Sequence, residues 1–128
     1  MGLGDNNDNK GRAYVGPVDA VAKNKGWFFG AFMDDPLLRS SQVEVAWQEV
    51  PNMTPSPDQA HFHRSSVEIN VVLNGRISLS INGEHHEVGA RECYVIWPES
   101  VVADLSSSDD AEVMVIRSPS LPDDKFPA

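Results

Sequence analysis

The chain has 128 residues, with 19 acidic against 10 basic side chains and a formal net charge of −9. This length fits one domain, and the charge disfavours nucleic acid and anionic membranes as partners, because binding phosphates depends on Lys and Arg. No apolar run approaches the roughly 18 residues of a membrane span, and the N-terminus lacks the apolar region of a signal peptide. Cys93 is the only cysteine, so no internal disulfide is possible. We therefore expect a single cytoplasmic domain.

The chain divides into three parts by composition. Residues 1–12 are rich in Gly, Asn and Asp, so we expect a disordered N-terminal tail that gains too little from burial to become ordered. Residues 13–118 carry most of the apolar side chains and form the expected domain. Pro119 and Pro122 are expected to end regular structure, which makes residues 119–128 a C-terminal arm.

Short strands are predicted along most of the domain. A helical turn near Asp19–Lys23 and a strand near Trp27–Phe32 come first, and apolar and polar residues alternate from Gln42 onward. Asn74-Gly75 and Asn82-Gly83 separate apolar runs and are typical of hairpin turns. About seven or eight short strands without a long amphipathic helix indicate an all-β sandwich or barrel, including the double-sheet jelly roll.

Two histidines precede a glutamate that begins an apolar run. Residues i and i+2 of an extended segment face the same side, so the imidazoles of His61 and His63 can reach one point. Glu68 lies among apolar neighbours, where a carboxylate is costly to bury unless it is paired or bound to a metal. This set suits a divalent metal ion such as Fe, Mn, Zn, Ni or Cu. A solvated pair of loop histidines is the alternative.

The same stretch resembles the first conserved motif of the cupin superfamily. Two histidines, a glutamate and a glycine recur there at the spacing of His61-x-His63-x4-Glu68-x6-Gly75. The resemblance covers roughly residues 42–117 and implies a cupin-type double-stranded β-helix, which is a single jelly-roll barrel. It also implies that His61, His63 and Glu68 are metal ligands that point into the barrel, with Gly75 at a turn between strands.

The second cupin motif is degenerate in this sequence. Pro98 is followed by Glu99 and Ser100, and Ala103 stands where the family has a fourth ligand, a histidine. Asp104 is adjacent, but successive strand residues face opposite sides, so it could replace that ligand only at a bulge. Either three protein ligands hold a metal and leave positions open for a substrate, or the site recognises a ligand without metal chemistry.

Four further residues are candidates for ligand binding. Gln59 is two positions before the first histidine, and Asn70 has the parity of the glutamate and needs hydrogen-bond partners in its apolar strand. Tyr94 and Trp47 are candidates to line a pocket, although such residues more often belong to the core. Cys93 lies in an apolar run and is expected to be a buried structural thiol.

Two functions follow as hypotheses. The first is a small metal-binding cupin that acts on a small molecule in the barrel as a dioxygenase, isomerase or lyase. The second is a non-catalytic module that binds a metabolite or sugar at a degenerate metal site. The fold hosts many chemistries and does not choose between them, nor does it decide whether the chain is an enzyme. We also expect a homodimer, because small cupins are often dimeric and because edge strands and the aromatic residues at 27–32 offer surfaces to a second copy.

Overall fold

A computed structural model describes residues 8–128, and the first seven residues of the expected tail lie outside this range. The described part is all-β, as predicted, and contains short 3-10 turns but no α-helix. Its strands are β1 (Trp27–Phe29), β2 (Glu44–Glu49), β3 (His61–His63), β4 (Val67–Asn74), β5 (Arg76–Ile81), β6 (Glu84–Gly89), β7 (Cys93–Ile96), β8 (Val102–Ser107), β9 (Glu112–Ser118) and β10 (Lys125–Pro127). Within residues 8–128, no helix is long and apolar enough to cross a bilayer.

The strands form two five-stranded sheets that face each other. The order of the first sheet is β1-β2-β9-β4-β7, and that of the second sheet is β10-β3-β8-β5-β6. Every pairing is antiparallel, and sequence-distant strands lie side by side, as in a jelly roll. Apolar side chains from both sheets meet in one buried cluster, which comprises Ala46, Val72, Ile77, Leu79, Val88, Ile96, Val102, Ala111, Val113 and Val115.

Both predicted Asn-Gly sites are turns between strands. Asn82 and Gly83 have φ values of 52° and 83°, which is the pair of positive angles that a two-residue hairpin loop requires. Gly75 has φ 74°, and a Cβ there would approach the Asp110 carboxylate to 2.6 Å and the Ala111 Cα to 2.9 Å. A side chain at position 75 would therefore clash where the β4–β5 turn meets the chain before β9.

Strand pairing decides which side chains of the first sheet face the barrel interior. One row of directly paired residues is Glu44, Arg117, Glu68 and Ile96, and the next inner row is Ala46, Val115, Asn70 and Tyr94. The intervening rows face outward and consist of Val45, Ile116, Ile69 and Val95, and of Trp47, Met114, Val71 and Cys93. Cys93 is therefore exposed, and the expectation of a buried thiol is wrong, because β7 lies at a sheet edge and this parity faces outward.

The two ends of the described chain add strands to the sheet edges. A 3-10 turn at Val18–Ala20 agrees with the predicted helical turn, and the predicted strand after it is shorter than expected, at Trp27–Phe29. The C-terminal arm contains β10, which the prolines did not predict, and β10 pairs with β3. Pro127 is tolerated in this strand because an edge strand leaves one row of amide positions unpaired.

Candidate metal and ligand site

The three predicted metal ligands converge from both sheets. His61 and His63 lie on β3 of the second sheet, and Glu68 lies on β4 of the first sheet. Among residues 8–128 they form the one group of three or more possible ligating side chains, with one ligand atom of each within 4.8 Å of the others. His63 is 3% exposed and Glu68 is 8% exposed. The side chains therefore meet inside the barrel, as the first motif implies.

Backbone carbonyls hold both imidazoles by the same ring nitrogen. The Nδ1 atom of His61 lies 2.7 Å from the Gln59 carbonyl oxygen, and the Nδ1 atom of His63 lies 2.9 Å from that of Asp124. A carbonyl can only accept, so each Nδ1 carries the hydrogen. In a neutral imidazole the Nε2 lone pair is then free, which is the arrangement that orients histidines bound to a metal.

The inward nitrogen of His63 lacks a proper hydrogen bond. Its Nε2 atom lies 3.0 Å from Oε1 of Glu68, which is ion-pair distance. The geometry is not that of a hydrogen bond, however, and Nε2 is a buried atom without a hydrogen-bond partner. A neutral imidazole with its hydrogen on Nδ1 would present a lone pair to the carboxylate oxygen. A proton or another cation between the two atoms would therefore stabilise the contact.

Arg117 joins two buried carboxylates beside these ligands. Its guanidinium lies 3.4 Å from Oε1 of Glu68 and 3.1 Å from Oε2 of Glu44, and it stacks over the Trp27 ring at 4.9 Å. The other Glu44 oxygen accepts a 2.8 Å hydrogen bond from the Ser120 hydroxyl. Sequence reasoning missed Glu44 and Arg117, because each lies at the end of a strand where alternation does not reveal which face is inside.

Charge and burial act in opposite directions on the protonation of the ligands. Burial alone would raise the pKa of Glu68, but its close contact with His63 and the charge of Arg117 lower that pKa to about 2. Burial lowers the pKa of His61, because it disfavours the charged imidazole. Near neutral pH the cluster therefore offers an ionised carboxylate and a neutral imidazole at His61, which are the forms that bind metals.

Asp124 ties the C-terminal segment to the site. Its carboxylate accepts hydrogen bonds from the backbone amides of Arg64, Ser65 and Ser66, at 3.2, 3.0 and 2.9 Å. Burial would raise the pKa of Asp124, but these three donors lower it below the ordinary value. The same residue holds His63 through its carbonyl, so Asp124 fixes both the β3–β4 turn and one candidate ligand. No sequence pattern indicated this role, because Asp124 follows two prolines in an apparent loop.

A cavity of about 1220 Å³ lies beside the ligands. Asn70 and Tyr94, which were predicted ligand-binding residues, both line it. Asn70 is 2% exposed, and its Nδ2 atom has no hydrogen-bond partner. Burial and the charge of Glu68 raise the pKa of the Tyr94 phenol, so the hydroxyl stays protonated and can donate. The cavity wall thus presents two uncharged donors next to the candidate ligands.

The other two predicted ligand-binding residues, Gln59 and Trp47, make hydrogen bonds to other parts of the protein. The Gln59 side chain donates to the Thr54 carbonyl and accepts from the amides of Ser56 and Leu105, so backbone contacts occupy it. It does not line the cavity; its own carbonyl instead orients the first histidine. Trp47 borders the cavity, but its ring is exposed on the outer face, and its Nε1 donates to Glu112.

Ala103, which the sequence predicted at the position of the missing fourth ligand, lies on the other face of β8 from Val102, the direct strand partner of His61. Val102 of β8 pairs directly with His61 and is buried. Ala103 pairs instead with Ser80, on the other face of β8. Asp104 does lie at a bulge, with φ 57°, but its carboxylate is exposed and accepts a hydrogen bond from the Ser80 hydroxyl. Asp104 therefore does not replace the fourth ligand.

Comparison with solved structures supports the fold. The Streptomyces nucleoside dehydratase Pac13, whose fold is described as a β-barrel, superimposes with a TM-score of 0.64 at 15% identity over 90% of each chain. A cupin protein from Bacteroides fragilis matches with a TM-score of 0.53 at 24% identity, over 63% of this chain and 69% of that one. KdgF from a Halomonas species matches with a TM-score of 0.57 at 15% identity, over 66% and 74% of the two chains.

No protein-family model and no curated protein matches the sequence. These three structures are each below 25% identity to this chain, so they speak to the fold. Together with the two facing sheets and the converging first-motif residues, they show that this chain has the cupin fold.

Proposed function

We propose that this chain is a small metal-binding cupin that acts on a small polar molecule inside its barrel. One divalent ion, of Fe, Mn, Zn, Ni or Cu, would be held by His61, His63 and Glu68. The observation that carries the proposal is the buried Nε2 atom of His63, which faces a carboxylate oxygen without a hydrogen bond. A metal ion would accept the lone pair of this nitrogen and neutralise the carboxylate at the same time.

The donor set fits an open metal site. Two imidazoles and one carboxylate occupy three positions, and Val102 leaves the fourth side without a protein ligand. When bound, such an ion would polarise an oxygen of the substrate or bind dioxygen. Dioxygenase, isomerase and lyase reactions all use an open coordination position, so each remains compatible with this donor set.

The cavity wall supports a polar substrate. Asn70 Nδ2 is buried without a hydrogen bond of good geometry, although Asn70 helps to lower the pKa of Glu68, and a buried unsatisfied donor is costly unless a ligand or water meets it. The Tyr94 hydroxyl adds a second neutral donor on the adjacent strand. Arg117 would hold the Glu68 carboxylate in place and leave it ionised. The structure of the Streptomyces dehydratase with uridine is an example of a similarly folded chain that binds a small polar molecule.

Elemental analysis of natively purified protein tests the metal site. We expect about one equivalent of a first-row transition metal, and a loss of affinity of at least about tenfold in His63→Ala. His86→Ala is the matched control, because His86 lies on the β6 hairpin next to Glu84, outside the candidate site. Full metal content in His63→Ala, or equal loss in both variants, would contradict the proposal.

A non-catalytic binding module is the second candidate. It is favoured by Arg117, which already neutralises Glu68 without a metal, and by the absent fourth ligand. This function predicts that a small polar ligand binds equally well before and after chelation of the metal. A ligand that binds only to the metal-loaded protein would exclude it.

We also propose that two copies associate through the outer face of the first sheet. The two outer rows carry eight side chains, and none of them is charged. Val95 in these rows is 44% exposed, and Trp97, two residues further along the chain, is 67% exposed. A chain of net charge −9 repels its copy at most contact surfaces, and this face avoids that repulsion. An apolar patch of this kind marks an interaction site. Light scattering that gives a monomer at high concentration would contradict the proposal.

A further inference from the structure

Cations gather beside the candidate ligands of a strongly acidic protein. Lys25, Lys125 and Arg117 all line the cavity that His61 and Glu68 also line. Acidic residues outnumber basic ones by 19 to 10 in this chain, so a random wall would be mostly negative. Together with Lys23, four basic side chains line the cavity, and so do four acidic ones, Asp19, Glu49, Glu68 and Glu112, so this wall is richer in basic residues than the whole chain.

Strand pairing directs Lys125 towards the site. Lys125 of β10 is the direct partner of His63 on β3, and directly paired residues project from the same face of a sheet. His63 faces the barrel interior. Lys125 therefore lies on the interior side of β10, the edge strand of the second sheet. The neighbouring pair, Phe62 and Phe126, stacks on the opposite face at 5.6 Å. The register of β10 therefore places the exposed Lys125 at the edge of the cavity, on the side of β3 that carries the candidate ligands.

The charges around Lys125 do not balance within the described residues. No ion pair to Lys125 or Lys25 is formed in residues 8–128, whereas Lys23 is 3.5 Å from Asp34. The Glu68 carboxylate on the same cavity wall is shared with Arg117 and His63. Like charges that are held together in this way favour the binding of an anion.

We infer that Lys125, assisted by Lys25, binds the anionic group of the substrate, a carboxylate or a phosphate. Arg117 on the same cavity wall adds positive charge, while Asn70 and Tyr94 contact the neutral polar part of the molecule. The substrate class is therefore a small organic acid or phosphate ester that also carries hydroxyl or carbonyl groups. The identification of this molecule as a substrate rests on the proposed function, but binding of the anion to the cavity does not require the metal.

An NMR titration of chelator-treated protein tests the inference with three matched probes. Glycerol 3-phosphate, glycerate and glycerol share a three-carbon backbone and differ in their anionic group. We expect at least one of the two anions to shift the side-chain amide signal of Asn70, and glycerol to leave it unchanged. The anion that binds more tightly identifies the preferred group, carboxylate or phosphate.

Two lysine variants distinguish anion binding by the cavity-lining Lys125 from nonspecific attraction of the anion to the charge of the protein. Lys125→Gln should weaken binding of the anion about tenfold, because it removes one charge-assisted contact. Lys10→Gln is the control, because Lys10 is exposed like Lys125 but does not line the cavity; it should change binding less than about twofold, since distant charges are screened by salt. Equal effects of the two variants, or glycerol binding as tightly as the anions, would overturn the inference.

Metal analysis of the same protein preparations before chelation distinguishes this result from the proposed function. If the wild-type protein holds metal but no anion shifts Asn70, the inference fails and the metal site stands. If anions bind as expected and the protein retains no metal, the proposed metal chemistry fails and the anion site stands. Lys125→Gln should keep the metal content of the wild type, because Lys125 is not one of the three candidate ligands.

Discussion

The inner and outer faces of the first sheet reverse the usual distribution of polarity. An antiparallel sheet normally turns apolar residues to the core and polar residues to solvent. Here the inner rows contain Glu44, Arg117, Glu68, Asn70 and Tyr94, whereas the two outer rows carry no charged residue. The apolar core begins among these rows, with Ala46, Ile96 and Val115, and continues through Val72, Val113 and the second sheet.

This reversal separates two tasks. A polar inner face costs stability unless its groups satisfy one another or a ligand, so the inside of this sheet is suited to binding and chemistry. An apolar outer face costs solubility unless something covers it, so the outside is suited to association. The four predictions below probe the two faces separately, beginning with the largest expected effect.

Removal of the positive charge from the inner face should destabilise the fold most. Arg117→Gln leaves Glu44 and Glu68 as buried carboxylates without their shared cation, and we expect a loss of about 3–5 kcal/mol in the free energy of unfolding. Chemical denaturation of metal-free protein at neutral pH measures it. Arg12→Gln is the control, because Arg12 is exposed.

A second substitution tests the cause of that loss. Glu44→Gln in the Arg117→Gln background removes one of the two uncompensated charges, so it should recover part of the stability. If the double variant is less stable than Arg117→Gln alone, mutual repulsion of the carboxylates is not the reason for the loss.

A charge on the outer face should break association without unfolding the monomer. Val95→Asp introduces the same charge twice at a symmetric interface, and we expect the dimer to weaken by about 2–3 kcal/mol. Sedimentation or light scattering over a range of concentrations measures this change. Val15→Asp is the matched control, because Val15 is highly exposed and lies outside the sheets. Equal association of both variants would locate the interface elsewhere.

The sequence predicts those parts of the molecule that depend on local rules. Asn82-Gly83 is a turn because only such residues adopt two positive φ angles cheaply, and the spacing of His61 and His63 places both on one strand face. Arg117 follows a run of apolar residues on both parities, so its direction depends on the register with β2 and β4. Asp124 depends on long-range contacts, which no local pattern encodes.

Adjacent valines on β4 provide the third and smaller test. Val72 is buried in the core, whereas Val71 belongs to an outer row and is partly exposed. We expect Val72→Ala to cost about 2 kcal/mol, since it removes buried methyl groups and leaves a cavity, and Val71→Ala to cost less than about 1 kcal/mol. Thermal unfolding at low protein concentration, where association is minimal, compares the two. Similar losses of stability in the two variants would mean that the inner and outer faces of β4 are buried to a similar extent.

The smallest expected effect concerns Asp124, which holds the β3–β4 turn and His63 next to the inner face of the first sheet. Asp124→Asn keeps one acceptor oxygen for the amides of the β3–β4 turn, so we expect a loss of about 1 kcal/mol at neutral pH. Folding lowers the pKa of Asp124 below its ordinary value of 3.8, because three backbone donors outweigh the effect of burial. Its charge therefore stabilises the fold fully above that ordinary value, and this stabilisation is lost as the pH falls through the lowered pKa.

The difference between wild type and Asp124→Asn should accordingly shrink below pH 3.8, as measured by denaturation at a series of pH values. A difference that stays constant with pH would mean that the carboxylate contributes by shape and not by charge. In that case His63 would be held by the Asp124 carbonyl alone, which the substitution leaves in place. The candidate ligand would then keep its orientation in acid, and metal release at low pH would report protonation of the ligands and not loss of the turn.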